Sequence, residues 1–484
     1  MSTDSPINIL PSFLWKLLER TGSQIIQLII QLLLARLLGP DTFGIIAILL
    51  IFINISQVFI DSGFSMALIQ KRDISSKDYS TVFLFSLFIS LILFFIIYNC
   101  APLISKFYNE HKLIFPLRMI AITLFPMALS TVQNAYVSRN MLFNKLFIAN
   151  ISATLVSGVV AVYMAYHSFG IWALVVQQII FRFLGPLILY FLLDLKFKLF
   201  FSLKIIKDLF SFGGGILVGS LIYSIYMELR TLLIGKFYSA SDLAYYQRGD
   251  QIPKLVITNV NNSIESVLFP TLSSLQNDIN KMLVVFKNSI KFSSFFITPL
   301  CFGIAGVSHT LIQLLLGDAW LPTIPYLRVF ALTYSLWPIL SNNLQMIRAK
   351  GRSDLIVKYE FIKRIIGFGL IFITASISPM AMACSFLLES IIECIINSIP
   401  SKFYFNYGII HQVRDIIPSL INSLIMLLFI LMIDRIISGY IILKLFIQVV
   451  VGVSVYFLCS FVNNRLLIIK LANLMKRTFD AKNK

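Results

Sequence analysis

Residues 43–68 read FGIIAILLIFINISQVFIDSGFSMAL, an apolar run that holds one carboxylate and neither lysine nor arginine. A run of this length predicts a membrane-spanning helix, since a helix needs about 20 apolar residues to cross a bilayer. Over all 484 residues, 58% are hydrophobic and 13% are charged, whereas soluble domains hold about 45–50% and about 25%. Because no water-soluble fold of this size could bury so much apolar surface, the sequence predicts an all-α polytopic membrane protein.

Similar apolar runs lie on both sides of this segment and are joined by short loops. Counted at the length of one crossing, they predict about 14 transmembrane helices, called spans 1 to 14 in chain order, near residues 12–38, 43–68, 80–105, 114–137, 146–166, 169–193, 210–234, 250–274, 284–313, 322–347, 357–378, 379–400, 416–434 and 439–462. None of the loops is long enough to fold as a soluble domain.

Basic residues give a formal net charge of +18, and their distribution predicts the orientation of the chain. Four lysines lie between spans 6 and 7 and six basic residues follow span 14, whereas the loops near His167 and Ser376 hold no lysine or arginine. Cytoplasmic loops of membrane proteins are the ones enriched in these residues. We therefore predict that both termini are cytoplasmic, and the charge needs no nucleic-acid partner to explain it.

Two motifs of the first half recur in the second. RLLGPDTFGIIA (36–47) is echoed 200 positions later by KFYSASDLAYYQ (236–247), and FIDSGFSMALIQ (59–70) is echoed 203 positions later by NSIESVLFPTLSSLQ (262–276). Repeats of one orientation predict two six-helix lobes related by a pseudo-twofold axis around a central cavity. The predicted organisation is a cytoplasmic tail (1–11), an N-terminal six-helix lobe (12–196), a cytoplasmic linker (197–209), a C-terminal six-helix lobe (210–400), a cytoplasmic loop (401–415), two additional transmembrane helices (416–462) and a basic cytoplasmic tail (463–484).

Polar side chains form one stripe on each of four spans, at steps of three and four residues that share a helix face. The stripes fall on corresponding spans of the two predicted lobes, and they are Arg20, Gln24, Gln27 and Gln31 on span 1, Asn54, Gln57 and Asp61 on span 2, Ser220, Ser224 and Glu228 on span 7, and Asn261, Asn262 and Glu265 on span 8. Such side chains point at protein or water rather than lipid. They either join helices by hydrogen bonds or line a hydrated cavity.

Arginines inside the spans are the sharpest sign of a binding site. Arg182 lies near the middle of span 6, Arg118 opens span 4, Arg328 lies near the start of span 10, and Arg230 follows Glu228 on span 7. A guanidinium group binds a diphosphate through two parallel hydrogen bonds, so these arginines with Gln24, Gln27 and Gln31 are candidate substrate contacts. The alternative is that each arginine neutralises an acid of the bundle. Asp61, Glu228 and Glu265 are candidate counter-ions or coupling-ion ligands.

Longer motifs carry a family resemblance. ARLLGPDTFGIIAILLIFINISQVFIDSGFSMALIQKRD (35–73), DLAYYQRGDQIPKL (242–255) and LLLGDAWLPTIPYLRVF (314–330) resemble the bacterial polysaccharide transporter family, the O-antigen and exopolysaccharide flippases of the multidrug/oligosaccharidyl-lipid/polysaccharide superfamily. The resemblance implies a bacterial inner-membrane protein in which spans 1, 2, 7 and 8 border the central cavity. It implies an undecaprenyl-diphosphate-linked oligosaccharide as substrate, and a polysaccharide polymerase and a chain-length regulator as partners.

The resulting hypothesis is a flippase that moves the lipid-linked oligosaccharide to the periplasmic face by alternating access. We expect no metal, no other cofactor and no enzymatic activity, and the sequence has no phosphate-binding loop of the Walker type. The membrane potential, or H⁺ or Na⁺ bound at the acidic candidates, could drive transport. Three alternatives remain: a cation-coupled drug or metabolite antiporter of the same superfamily, a membrane glycosyltransferase or polymerase, and a scaffold without transport.

Overall fold

The computed structural model describes residues 9–193, 200–437 and 439–463, with side chains omitted at 9–14, 16–21 and 212. Every regular element in these ranges is a helix, which confirms the predicted all-α class. The side chain of Arg20, the basic residues Lys196 and Lys198, and the basic tail lie outside the described residues. The chain forms two compact units that meet in sequence between Ala244 and Tyr245.

The first unit contains eight of the described helices and the start of a ninth. They are α1 (Ile9–Asp61), α2 (Phe64–Gln70), α3 (Ser76–Tyr108), α4 (Ile114–Ala121), α5 (Leu124–Asn140), α6 (Phe143–Tyr166), α7 (Ile171–Leu192), α8 (Leu203–Phe237) and the beginning of α9 (Ala240–Ser274). A short 3₁₀ turn, His111–Leu113, precedes α4. Phe64, Leu68, Val132 and Leu189 are central to its apolar core, which joins α2, α5 and α7.

The second unit contains the rest of α9 and eight further helices. They are α10 (Ile279–Gly306), α11 (Ser308–Leu315), α12 (Ile324–Tyr334), α13 (Trp337–Ala349), α14 (Ser353–Ala375), α15 (Pro379–Phe405), α16 (Ile409–Ile436) and α17 (Ile441–Asn463). The 3₁₀ turn Asp318–Thr323 joins α11 to α12. Its core packs Phe286 of α10 against Met346 of α13 and Phe405 of α15.

Helix α1 is broken at the point where the sequence separates spans 1 and 2. Gly39 has φ +73°, a left-handed conformation that glycine adopts without steric cost. Pro40 follows directly and has no backbone N–H to continue the hydrogen-bond ladder. The helix axis is therefore interrupted between two membrane-length halves.

Helix α8 packs against α1, α2 and α3 within the first unit. Gly63 is essential to this packing, because a Cβ atom placed there would collide with the carbonyl oxygen of Gly213. Gly44 provides a close approach of α1 to the start of α9, since its Cβ would collide with the carbonyl oxygen of Ala240. The predicted lobe boundaries, which assign span 7 to the second lobe, stay a prediction.

Nine helices of the described ranges are long and apolar enough to cross a membrane, or ten if the pair His111–Ala121 and Leu124–Asn140, bent by 42°, forms one span. The chain is thus a multi-pass membrane protein. The predicted span near 250–274 coincides with α9, the one near 322–347 with α12 and α13, and the one near 357–378 with α14. These helices are too polar or too short to meet the same criterion. The count of 14 therefore stays a prediction.

Candidate functional site

A polar cavity of about 450 Å³ lies inside the first unit, between α1, α5, α6 and α7. Its polar lining combines amides and hydroxyls with one charged residue among the described lining residues. The polar residues are Gln57, Ser130, Gln133, Asn134, Ser138, Asn150 and Arg182. Met127, Leu146, Phe181, Gly185, Pro186 and Leu189 complete the lining. A volume of this size lies within the range of small-molecule sites, about 300–1,000 Å³.

The wall between α5 and α7 is fixed by a hydrogen bond at the cavity. Gln133 of α5 is fully buried, and its Nε2 donates to the carbonyl oxygen of Pro186 over 2.9 Å. Pro186 has no N–H, so α7 lacks the helical hydrogen bond that this residue would otherwise donate. The Oε1 atom of Gln133 is also buried and has no partner among the described residues. The cavity wall therefore retains an unused hydrogen-bond acceptor.

Arg182 on α7 is the cationic group of this cavity. Its Nη1 lies 3.4 Å from Oε1 of Gln57 on α1, a long and weak hydrogen bond. Its Nε atom is buried and has no partner, and no carboxylate of the described residues pairs with the guanidinium. A partly buried cation without an acid is costly. Arg182 thus lines a cavity of the first unit, and no acid in the described part of the chain pairs with it. Its role as a substrate contact stays a prediction.

Helix α1 carries the predicted stripes of spans 1 and 2, and their side chains differ in what they contact. Nε2 of Gln31 lies 3.4 Å from Oε1 of Gln177 on α7, and Nδ2 of Asn54 donates to Oε1 of Glu228 on α8 over 3.0 Å. These two contacts join helices, as the alternative interpretation of the stripes holds. Of the predicted stripe residues on α1, only Gln57 lines the described cavity.

The remaining candidates of the first unit do not line this cavity. Gln24 is half-buried and Gln27 is exposed. Arg230 is buried, with its guanidinium 5.7 Å from the ring centre of Tyr226. Asp61 is half-buried.

Arg118 belongs to a contact between α3 and α4. Its Nε donates to the carbonyl oxygen of Tyr98 over 3.2 Å, and its guanidinium lies 4.4 Å from the centre of that ring. A cation above an aromatic face and a backbone acceptor together account for the position of the side chain. These contacts do not involve the polar cavity of the first unit.

In the second unit, the candidates lie in two local networks. Arg328 on α12 donates through Nε to the hydroxyl of Ser308 over 3.0 Å. Glu265 on α9 accepts from Nδ2 of Asn261 over 2.7 Å, and Oδ1 of Asn261 accepts from Ser341 of α13 over 2.8 Å. Within the described ranges, no three His, Cys, Asp or Glu side chains gather as metal ligands.

The sequence interpretation missed the cavity residues on α5. Ser130, Asn134 and Ser138 are four residues apart and therefore share one helix face. Span 4 was predicted to end at residue 137, which placed Ser138 in a loop, although α5 continues to Asn140. The spacing of four was the available signal, but it is weak because the three residues are small or uncharged.

Comparisons with known proteins agree with this architecture. A family model described as polysaccharide biosynthesis protein matches residues 33–325, more than half of the chain. Teichuronic acid biosynthesis protein TuaB of Bacillus subtilis is 26% identical over 62% of this chain and 62% of its own length. Succinoglycan biosynthesis transport protein ExoT of Rhizobium meliloti is 21% identical over 85% of this chain and 84% of its own.

Solved structures give the same fold. The lipid II flippase MurJ in an inward closed conformation superposes with a TM-score of 0.77 at 18% sequence identity. The match covers 94% of this chain and 99% of that one. At this identity the likeness shows the fold alone.

Proposed function

Since the chain belongs to the polysaccharide biosynthesis protein family, we propose that it is a flippase. The substrate is an undecaprenyl-diphosphate-linked oligosaccharide repeat unit of an O-antigen or exopolysaccharide. The protein moves it from the cytoplasmic to the periplasmic face of a bacterial inner membrane by alternating access. The relative named as a transport protein, ExoT, supports a transporter over a membrane enzyme.

One observation carries this proposal, namely Arg182 in a polar cavity among amides and without a carboxylate of the described residues. A cation that lacks an internal partner is ready to bind an anion, and a guanidinium group matches the oxygens of a diphosphate. The amides and hydroxyls around it match the hydroxyls of a sugar. A diphosphate-linked sugar supplies both kinds of group in one ligand.

The physical need for such a site is the cost of taking polar groups through hydrocarbon. An unpaired charge or unbonded hydroxyl costs several kcal/mol in an apolar medium, so the head group must travel through a polar interior while the polyprenyl chain stays in lipid. Moving a negative charge outward across a membrane that is negative inside yields about 2.3 kcal/mol per charge per 100 mV. The membrane potential therefore favours export.

We further propose that H⁺ or Na⁺ couples to transport through Asp61, Glu228 or Glu265. Glu228 is bonded to Asn54 and Glu265 to Asn261, and protonation of either carboxylate would change these contacts between polar side chains. Both termini are proposed to be cytoplasmic. A polysaccharide polymerase and a chain-length regulator are the proposed partners, since they act on the product of translocation.

The antiporter alternative is less well supported by the chemistry of the cavity. A cationic drug or a coupling cation is bound by carboxylates and aromatic faces. The described lining holds an arginine, four amides and two serines, with Phe181 as its only aromatic residue. Such a lining favours an anionic and hydroxyl-rich ligand.

The experiment is complementation in a bacterium that lacks its own surface-polysaccharide flippase but makes the matching lipid-linked repeat unit. We expect the wild-type chain to restore surface polymer and Arg182→Ala to reduce it by at least about 10-fold, the effect of a lost hydrogen bond to a charged group. Arg435→Ala is the matched control, because Arg435 is exposed at the end of α16. Accumulation of lipid-linked units on the cytoplasmic face with the wild type present would contradict the proposal.

A further inference from the structure

Helix α5 presents a polar wall to the cavity of the first unit. Ser130, Asn134 and Ser138 all line the cavity, and their spacing of four residues stacks them along one helix face over about 12 Å. None of these three residues is charged. The wall therefore differs in chemistry from Arg182, which α7 contributes to the same cavity.

The hydrogen-bonding groups of this wall are largely unused by the protein. Asn134 and Ser138 are exposed, and neither has a hydrogen-bond partner among the described residues. Ser130 donates to the carbonyl oxygen of Pro126 over 3.1 Å, which leaves its oxygen able to accept. The buried Gln133 beside them holds the wall against α7 through Pro186. The wall is thus fixed in place, and its outer groups are open to the cavity.

Amides and hydroxyls differ from arginine in what they can distinguish. Each of them donates and accepts, as sugar hydroxyls do, whereas a guanidinium group only donates. A site that hydrogen-bonds a hydroxyl rejects a ligand that lacks it, because its own polar groups are then left unpaired. A diphosphate is common to all lipid-linked sugars of one class and gives no information about the sugar.

We propose that Ser130, Asn134 and Ser138 form the wall that selects the sugar attached to the diphosphate, an inference that rests on the proposed function. Arg182 holds the diphosphate and contributes equally to all donors. The α5 wall contacts the hydroxyl or N-acetyl groups of the first sugar and determines which donors are moved fastest. Selectivity and transport capacity therefore reside on different helices of one cavity.

The test uses the full chain in proteoliposomes with three undecaprenyl-diphosphate-linked monosaccharides, carrying a neutral hexose, an N-acetylhexosamine or a 6-deoxyhexose. The measured quantity is the initial rate of translocation of each donor, and the result is the ratio between donors. The variants are Asn134→Ala with Ser138→Ala, and Arg182→Ala. Asn140→Ala is the control on the same helix, since its side chain donates to the carbonyl oxygen of Tyr136 and does not line the cavity.

We expect the double variant to change the ratio between donors by about 3- to 10-fold, the effect of one neutral hydrogen bond that one donor makes with the wall and another lacks. Arg182→Ala should slow all three donors by one common factor, and Asn140→Ala should keep the wild-type ratio. If the double variant slows every donor equally, the wall does not select the sugar, although the flippase proposal stands. If the wild type moves none of the donors, the proposed function fails and the inference with it. Size-exclusion profiles of each variant separate these results from misfolding.

Discussion

The cavity of about 450 Å³ in the first unit and the cavity of about 350 Å³ in the second are similar in size and opposite in lining. The second lies between α10, α16 and α17, and its described lining is apolar except for Tyr456. Tyr456 donates its hydroxyl to the carbonyl oxygen of Phe295. The polar cavity instead contains a cation and side-chain groups without partners. The polar cavity therefore offers hydrogen-bonding groups to its interior, whereas the only hydroxyl among the described lining residues of the apolar cavity, that of Tyr456, donates to a backbone carbonyl oxygen.

The cation of the polar cavity also differs from the cations of α14 in the second unit. In the second unit, Lys363 and Arg364 of α14 both pair with Glu360 on the same helix, and Asp434 pairs with Lys444. In the first unit, Arg182 has no such acid among the described residues. A paired charge is compensated within the protein, whereas an unpaired desolvated charge lowers stability and is retained where a ligand needs it.

The largest effect is expected from placing an amide in the apolar cavity. Ile430 is 2% exposed, and its side chain lies against Gly306 of α10 and Gly452 of α17. Ile430→Gln should lower the free energy of unfolding by about 3 kcal/mol, because apolar contact is lost and an amide is buried without partners. Leu146→Gln in the polar cavity should cost about 1 kcal/mol or less, since its amide can reach polar groups.

Unfolding in mixed detergent micelles, followed by tryptophan fluorescence, measures both variants. Equal losses for the two substitutions would show that the cavities do not differ in polarity as described. A larger loss for Leu146→Gln than for Ile430→Gln would contradict the claim that the cavity of the first unit accommodates an amide more readily.

Smaller changes in stability, opposite in sign, are expected when the cations Lys363 and Arg182 are each replaced by methionine. Lys363→Met should lower stability by about 2 kcal/mol, less than the 3–5 kcal/mol of a fully broken buried pair, because Arg364 still neutralises Glu360. Arg182→Met should raise stability by about 1 kcal/mol, because it removes a desolvated charge without leaving an acid behind. The same unfolding measurement applies. A loss of stability on Arg182→Met as large as that of Lys363→Met would show that Arg182 has a structural partner.

Much of the fold followed from the sequence because hydropathy reports directly on the bilayer. The break between spans 1 and 2 was predicted at residues 39–42, and the structure places it at Gly39. Helix α14 shows where hydropathy is insufficient. Glu360, Lys363 and Arg364 make it too polar for a simple span, although both cations pair with Glu360 within the helix. A hydropathy average cannot record that pairing.

The candidate site was predictable only in part, because periodicity shows which side chains share a face but not what fills the space opposite. Asn54 and Gln57 lie on one stripe, yet Asn54 bonds to Glu228 while Gln57 reaches the cavity. Arg182 was found because a charge within a span is rare. Asn134 was missed because a lone amide in a helix carries no such signal.

The central claim is that Arg182 holds the diphosphate during translocation, and proteoliposomes test it most directly. The measurement is the initial rate at which one undecaprenyl-diphosphate-linked sugar crosses the bilayer, for wild type, Arg182→Lys, Arg182→Ala and the Arg435→Ala control at equal protein density. We predict that Arg182→Ala is slower by about 10- to 100-fold, with Arg182→Lys between it and the wild type, because lysine keeps the charge but loses the paired hydrogen bonds. A rate for Arg182→Ala equal to that of the wild type would contradict the claim.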